Sequence, residues 1–596
     1  LAYNELAYSI SINDSTTYSS TKEKNKAVNA ELAEILTVLK NNGETLNNDF
    51  KIDRKKDGTY SFNVSGSSLN RFRADVFGKG SADDLEYDKE TGIDEANATA
   101  EQIMEYLMGK DNFGISSKYD GDLAYRIVVV RYAMLGNRFA RYKEVKIATD
   151  VSDKTVAYVN EHMDTLSGIS VNEDMIRKYN YSEYFSSIIG YTGPISESEY
   201  TALHKKNEDY TQNDTVGKAG LEQYYETYLR GKNGERKFYI DNVGRISEII
   251  SSTDSVAGDD LYLSIDADLQ MATYLALQNE IAAIVYSNIK SGEIPINDVY
   301  TALIGNSVIN TEHFSKSKAS DTEKSVLSVF KSRQKTTLGK IKQELTSSPE
   351  ALNTMSDEVL DEFTYIISML KDDQVLLKNE IDTSDSVYQK WKDQKISPKE
   401  YLNYCITQHW IDISQLNVDE KYADSTEVYD ALCKYILKNI KTDTEFSKII
   451  YQYMITRGEI SPRQLCLILF DQGVLDYDDA TVNKLKNGSL SPRDFLMKKI
   501  YNIEITPAQL ALEPCTGSCV VTDEKTGEIR AMVSYPGYNS NKLANGVDSE
   551  YFASLQHDKS SPLLNYATQQ KTAPGSTFKL VSATAGLAEN VITTSD

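Results

Sequence analysis

Residues 571–579 read Lys571-Thr572-Ala573-Pro574-Gly575-Ser576-Thr577-Phe578-Lys579, with a serine and a lysine three positions apart just after a Pro-Gly break. Pro-Gly stops extended structure, and the small and apolar residues that follow predict a helix over 576–587. On a helix, positions i and i+3 share a face, which lets the Lys579 amine reach toward the Ser576 hydroxyl. Free serine is a poor nucleophile and needs an adjacent base. Lysine serves as that base when burial or a neighbouring charge lowers its pKa. A helix N-terminus also sets partial positive charge and free N–H groups where an oxyanion develops. The spacing alone is weak, because it also begins at Ser19, Ser287, Ser315, Ser328 and Ser332. Ser576 alone among these combines the preceding Pro-Gly break, the aromatic Phe578 and the apolar run behind it.

Upstream of this segment, 518–523 and 528–534 are strand-like and flank Glu524-Lys525-Thr526-Gly527. That pattern predicts a hairpin with Gly527 where positive φ is needed. An irregular polar loop is expected over 535–570. Residues 284–505 change character: glycine is sparse and long amphipathic stretches dominate, such as 359–370 and 428–440. Ser397-Pro398, Ser461-Pro462, Ser491-Pro492 and Thr506-Pro507 each pair an N-cap residue with proline at the first helical position, and so mark helix starts. The residues between these starts do not align as a repeat. Tyr404, Ile406 and Trp410 are expected in the core of a separately packed, all-helical insert. Residues 1–265 read as mixed α and β. A short helix is expected over 148–161, a strand followed by a turn over 188–194, and a strand over 261–265. Asp266 should then open a helix whose apolar face holds Leu269, Ala272, Leu275 and Ala276.

The chain has 596 residues, 40% hydrophobic and 26% charged, and a net charge of −24. It is too long for one core and implies several domains. The acidic balance opposes nucleic-acid phosphate. No run is long and apolar enough to span a membrane. Cys405, Cys433, Cys466, Cys515 and Cys519 are too few and scattered for a disulfide scaffold. No histidine pairing suggests a metal, and no cofactor motif is present. The chain starts at Leu1 rather than methionine and stops at Asp596 soon after the Ser576 helix, so truncation at both ends is expected.

Residues 571–579 resemble the nucleophile segment of class B penicillin-binding proteins, and S-x-x-K is a motif of that chemistry. Residues 531–536 and 561–567 resemble the strand and approach that precede it in the family. Gly217-Lys218-Ala219-Gly220-Leu221-Glu222, Leu229-Arg230-Gly231, Arg177-Lys178-Tyr179 and Gly190-Tyr191-Thr192-Gly193 resemble its pedestal motifs. Residues 257–261 with 265–270 are similar to the family's entry into the transpeptidase domain, and Leu1-Ala2-Tyr3-Asn4 to the segment after its membrane anchor.

The resemblance implies an α+β multidomain chain. Residues 1–257 would be a mixed α/β pedestal of the dimerisation type, 258–283 the start of a penicillin-binding/β-lactamase-like transpeptidase domain, 284–505 the helical insert, and 506–596 the part carrying the nucleophile. It implies a serine-type D-Ala-D-Ala transpeptidase that cross-links peptidoglycan stem peptides and is acylated by β-lactams, with Ser576 as nucleophile, Lys579 as general base and the Ser576 N–H as an oxyanion donor. The insert and pedestal favour the elongation, penicillin-binding protein 2, group over septal or sporulation types. No cofactor or metal is expected. A membrane-embedded glycosyltransferase partner and an extracytoplasmic position, with an anchor upstream of Leu1, are implied. The family also carries a second Ser/Asn motif and a Lys-[Ser/Thr]-Gly strand after the nucleophile. Neither follows Ser576, and the earlier Lys525-Thr526-Gly527 reads as a turn. The active site of this chain is therefore expected to be incomplete. The alternatives are a non-catalytic scaffold of a wall-synthesis complex and, fitting poorly with so long a pedestal, a soluble β-lactamase or β-lactam sensor.

Overall fold

The computed structural model describes the chain except residues 14–17, 56, 57, 65, 90, 138–142, 167, 213, 241–245, 317, 348, 349, 417, 419–423, 547 and 596. Asp596, where the sequence stops, lies outside the described residues. The chain divides into two compact units: Leu1–Leu263 with Tyr538–Ala553, and Ser264–Gly537 with Ser554–Asp596.

The first unit is built on a three-stranded antiparallel sheet with Ala2–Ile12 at its centre, between Val145–Thr149 and Ile169–Tyr179. Ala2 pairs with Tyr179 and the ladder continues to Ile12 opposite Ile169. Helix Thr21–Asn42 packs its apolar stripe of Val28, Leu32, Ile35, Leu36 and Leu39 into the same core as Ile10, Ile12 and Ile147. Ser20 caps its start by accepting from the Glu23 N–H, and Gly43, at φ 79°, ends it. Helix Gly121–Gly136 contains Ile127-Val128-Val129-Val130, a β-branched run with poor helix propensity. Burial on two sides overrides that preference. Ile127 and Val130 join the sheet's core, while Val128 and Val129 join a second core around Phe50, Phe72 and Ile103.

Two expectations are corrected in this unit. Ala148 is in a strand, paired with Ile10, and the helix expected over 148–161 is confined to Asp153–Glu161. Its apolar spacing had absorbed the strand before it. Residues 188–194 run in the opposite order to that expected. Ile188 and Ile189 close helix Ser182–Ile189, Gly190 breaks it at φ 79°, and the strand Thr192–Pro194 comes after.

In the second unit, residues 261–265 do not form the expected strand. Ser264 Oγ donates to the Ile529 carbonyl at 2.8 Å and the Asp266 N–H to that of Arg530 at 2.9 Å, but the chain turns helical at once. Asp266 caps that helix as expected, accepting from the Leu269 N–H at 3.0 Å, but the apolar face expected at Leu269, Ala272, Leu275 and Ala276 is exposed, and Gln270, Tyr274, Gln278 and Ile281 are buried instead. The helix runs unbroken for 25 residues from Ala267 to Ser291, through residue 284 where the insert was expected to begin. Val285 and Ile289, in its second half, belong to one large core that extends to Leu510.

That core is enclosed by helices. Ser397, Ser461, Ser491 and Thr506 all cap helices with proline in the first turn. Trp410 is buried, and Tyr404 and Ile406 pack against the core. A repeat absent from the helices is present in their connections. A left-handed residue ends one helix, and a buried Ile or Leu two positions later leads to the next cap. Gly458 (φ 74°) precedes Ile460 and Ser461, Gln394 (φ 59°) precedes Ile396 and Ser397, and Ile503 (φ 58°) precedes Ile505 and Thr506. The N–H of Glu459 donates to Met454 and that of Glu504 to Lys499, both at 2.9 Å, so the last carbonyls are satisfied as in a Schellman turn.

Helix Asp357–Asp372 carries two buried carboxylates one turn apart. Glu358 accepts from Arg333 at 2.9 and 3.0 Å and from Arg457 at 2.6 Å. Glu362 is 1% exposed, and among the described residues neither of its oxygens has a hydrogen-bond partner. Burial, and then the neighbouring Glu358, push its pKa up to about 8. The folded protein thus holds this proton at pH values where the unfolded chain, with an ordinary glutamate pKa of about 4.3, releases it. Stability should therefore fall as pH rises from about 4.5 to 8, by roughly 1 kcal/mol per unit. Glu362→Gln should flatten that slope and stabilise the unit at pH 8. Both tryptophans of the chain, Trp391 and Trp410, pack in this helical body, so fluorescence-monitored urea unfolding at pH 5, 6.5 and 8 reads the effect. An unchanged slope in the variant would remove Glu362 from the account.

Candidate active site

The hairpin forms as the sequence requires. Gly517–Thr522 pairs with Ile529–Tyr535. Asp523 Oδ1 accepts from the Lys525 and Thr526 N–H groups at 2.8 and 3.0 Å, and Gly527 adopts φ 78°. Lys525-Thr526-Gly527 is an exposed turn. Helix Ala267–Ser291 lies against the hairpin. The buried Gln270 side chain accepts from the Met532 N–H at 2.7 Å and donates to its carbonyl at 3.0 Å, as a neighbouring strand would. Tyr274 accepts from the Gly537 N–H at 3.2 Å and meets the Tyr535 ring edge-on at 5.4 Å. A Cβ at Gly517 would stand 3.2 Å from Leu277 and Ile281, so glycine there permits this close seating.

Ser534 fastens the approach to the nucleophile. Its hydroxyl accepts from the Tyr566 N–H at 2.9 Å and donates to the Leu564 carbonyl at 3.3 Å. Tyr566 in turn donates to the Ser560 carbonyl at 2.8 Å. Neither role was legible from residue type. The loop expected over 535–570 also contains a helix, Ser549–His557.

Ser576 and Lys579 do not share one α-helix, as the sequence suggested. Gly575–Phe578 is a 3₁₀ turn, and the α-helix runs over Lys579–Ala588. Gly575 enters the turn at φ 56°, and the Thr577 hydroxyl donates to the Pro574 carbonyl. With three residues per 3₁₀ turn, positions i and i+3 eclipse each other, so Lys579 follows Ser576 on the same face. The Lys579 N–H bonds the Ser576 carbonyl, tying the two residues together. Among the described residues Lys579 joins no ion pair. Every residue over 571–585 is exposed, including Phe578 at 51% and Leu580 at 77%. Among the described residues, nothing walls off the serine from water.

Cys515 and Cys519, close in sequence, are both free thiols, and burial pushes the Cys515 pKa up to about 11. No group of three or more metal-ligating side chains occurs among the described residues.

In the first unit, four separated sequence blocks meet. Arg177 Nε donates to Glu222 at 2.8 Å, and Tyr179 accepts from the Thr192 N–H at 3.0 Å. The Gly217 N–H donates to Glu226 at 2.7 Å, and Arg230 pairs with Asp214 at 2.6 Å. Burial raises the Glu226 pKa, against the pull of the Gly217 N–H. Asn545 accepts from the Arg177 N–H and donates to its carbonyl, both at 2.8 Å; Asn541 does the same for Tyr179 at 2.9 Å. Two asparagines thus extend the sheet where a strand would otherwise pair.

Comparison with known proteins fits these two regions. Residues 1–263 match the penicillin-binding protein dimerisation domain, and residues 517–596 match the penicillin binding protein transpeptidase domain. A peptidoglycan D,D-transpeptidase MrdA of Salmonella typhimurium is 29% identical over 157 residues, 26% of this chain and 25% of the relative. Penicillin-binding protein 2A of Bacillus subtilis is 34% identical over 136 residues, 22% of this chain and 19% of the relative. The chain thus spans about a quarter of the length of the curated relatives it matches. A solved structure of penicillin-binding protein 2B from Streptococcus pneumoniae aligns with a TM-score of 0.27 and 21% identity, covering 50% of this chain and 42% of that one.

Proposed function

We propose, from the premise that this chain belongs to the class B penicillin-binding proteins in the penicillin-binding protein 2 group, that it is a peptidoglycan D,D-transpeptidase with Ser576 as nucleophile and Lys579 as general base. The observation that carries the proposal is the 3₁₀ turn, which sets the two residues on one face within the stretch that matches the transpeptidase domain.

In this reading the Ser576 hydroxyl attacks the carbonyl of the penultimate D-Ala of a stem peptide and its proton passes to the Lys579 amine. The tetrahedral oxyanion is met by the Ser576 N–H. Collapse breaks the peptide bond, and terminal D-Ala leaves with the proton from Lys579. An amine from a neighbouring stem peptide then attacks the ester, forms the cross-link and restores the serine. A β-lactam follows the first half only, because its amide opens without releasing a leaving group from the site. The work belongs to the outer face of the cell membrane, alongside a glycosyltransferase that extends the glycan. No described helix is long and apolar enough to cross a membrane. The family matches at 1–263 and 517–596 support reading the helical residues, about 284–505, as an insertion between the two parts of the transpeptidase domain.

The test is labelling with a reporter penicillin followed by peptide mapping. The full-length protein should carry one adduct, on the peptide containing Ser576. The 596-residue chain should carry none that is stable, because its serine stands in open water. An adduct on another residue would overturn the assignment. Absence of any adduct in the full-length protein would favour a non-catalytic scaffold.

A further inference from the structure

In this strongly acidic chain, one helical face is basic. Helix Asp321–Thr346 presents Lys324, Lys331, Lys335 and Lys342, all exposed. Their spacings of seven, four and seven bring them within about 20° of one line along the axis, over roughly 27 Å. From 324 to 343 this helix exposes no acid, and Ser328 and Ser332 place exposed hydroxyls along one flank of the lysine row. Helix Ser425–Ile440 packs alongside in the opposite direction: Tyr429 donates to the Leu345 carbonyl at 2.7 Å and Gln334 to the Lys441 carbonyl at 3.0 Å. Its exposed strip ends in Lys434, Lys438 and Lys441, while its exposed acids, Glu427 and Asp430, stand at the other end. None of these lysines takes part in an ion pair among the described residues.

Gly339 is a second, independent feature of this face. It sits exposed inside a 26-residue helix, and a Cβ there would meet nothing within 4 Å. Glycine in a helix interior costs about 1 kcal/mol against alanine, and no packing among the described residues requires it. A bare backbone beside a lysine row lets a partner approach closely.

We propose that this face binds a linear, phosphodiester-linked polyanion of the cell-wall space. The location rests on the proposed function; the chemistry rests on the lysine row. Charges along a line suit a thin chain with regularly spaced phosphates, and the Ser328 and Ser332 hydroxyls on its flank can donate to phosphate oxygens. A lipid surface fits less well, because the helix exposes Val329 as its one large apolar side chain and interfacial helices bury an apolar face. Nucleic acid fits less well too, since the helix offers no exposed aromatic for base stacking.

The experiment uses the 596-residue chain and fluorescent poly(glycerol phosphate), followed by anisotropy from 25 to 300 mM NaCl. Binding should weaken linearly in log salt, with a slope of about −0.7 for each phosphate engaged. Changing Lys324, Lys331, Lys335 and Lys342 together to glutamine should weaken binding at least tenfold and make the slope shallower. The same change at Lys89, Lys110, Lys205 and Lys206, exposed lysines of the other unit, should alter neither. Circular dichroism checks that both variants are folded. No binding at 25 mM NaCl, or equal loss in both variants, would overturn the proposal, as would binding to phosphatidylglycerol vesicles in place of the polymer. The readout does not involve Ser576, so its failure leaves the transpeptidase reading standing.

Discussion

Ser576→Ala in the full-length protein is expected to abolish labelling by a reporter penicillin while leaving the fold intact. The side chain is exposed and the change removes a single hydroxyl, so the effect on stability should stay within about 0.5 kcal/mol. Lys579→Ala should slow acylation by about 10²–10⁴-fold, the range of a positioned general base. Lys579→Arg should not rescue it, because a guanidinium keeps its proton at any working pH. Binding of the intact antibiotic should persist in all three variants, separating loss of chemistry from loss of a site. Covalent labelling that survives in Ser576→Ala would sink the assignment.

Gly190→Ala is expected to unfold the first unit. Gly190 has φ 79° and ψ −142°, a region open essentially to glycine alone. A Cβ there would lie 1.9 Å from the Ala219 carbonyl oxygen, which is backbone and has no free end to swing away. Its neighbour across the contact is equally confined, since a Cβ at Gly220 would stand 2.4 Å from the Ile188 oxygen. The loss should exceed about 4 kcal/mol, the range reserved for strain and overpacking. Gly43→Ala is the control. Gly43 also has positive φ, but nothing lies within 4 Å of its Cβ position, so the change should cost only about 1 kcal/mol. Limited proteolysis reports the first unit, and tryptophan fluorescence the helical body of the second. Gly190→Ala should make the first unit protease-sensitive and leave the fluorescence transition in place. Retained protease resistance would refute the steric argument.

Much of this arrangement was legible because certain residues have few options. Gly527 after Asp523 allows one kind of hairpin turn, and a serine before proline opens a helix. The Ser576 turn stood out from its look-alikes by its Pro-Gly entry. Other features left no trace in residue type. Gln394, His409 and Ile503 adopt the left-handed conformation at helix ends, where only glycine would have announced it. Ile188 and Ile189 are as apolar in a helix as in a strand, and the Gly190 contact that ends the helix depends on Ala219, distant in sequence. The carboxylate at 362 looks like any surface glutamate until the helices close over it. Asn541 and Asn545 resemble solvated loop residues because their partners are backbone atoms far along the chain.

Those two asparagines bear on where the polypeptide can be divided. Residues 538–553 belong to the first unit, although the stretches on both sides belong to the second. A gene fragment stopped at Leu263 would follow the dimerisation-domain match and still omit part of its own sheet. The margin of strand Ile169–Tyr179 would then present the Arg177 and Tyr179 amides and carbonyls without partners, and a bare strand margin recruits other chains. Such a fragment invites self-association as an artefact of the cut, and an oligomeric state measured on it would describe the cut rather than the protein. Grafting 538–553 behind residue 263 through a short linker would give back the missing rung.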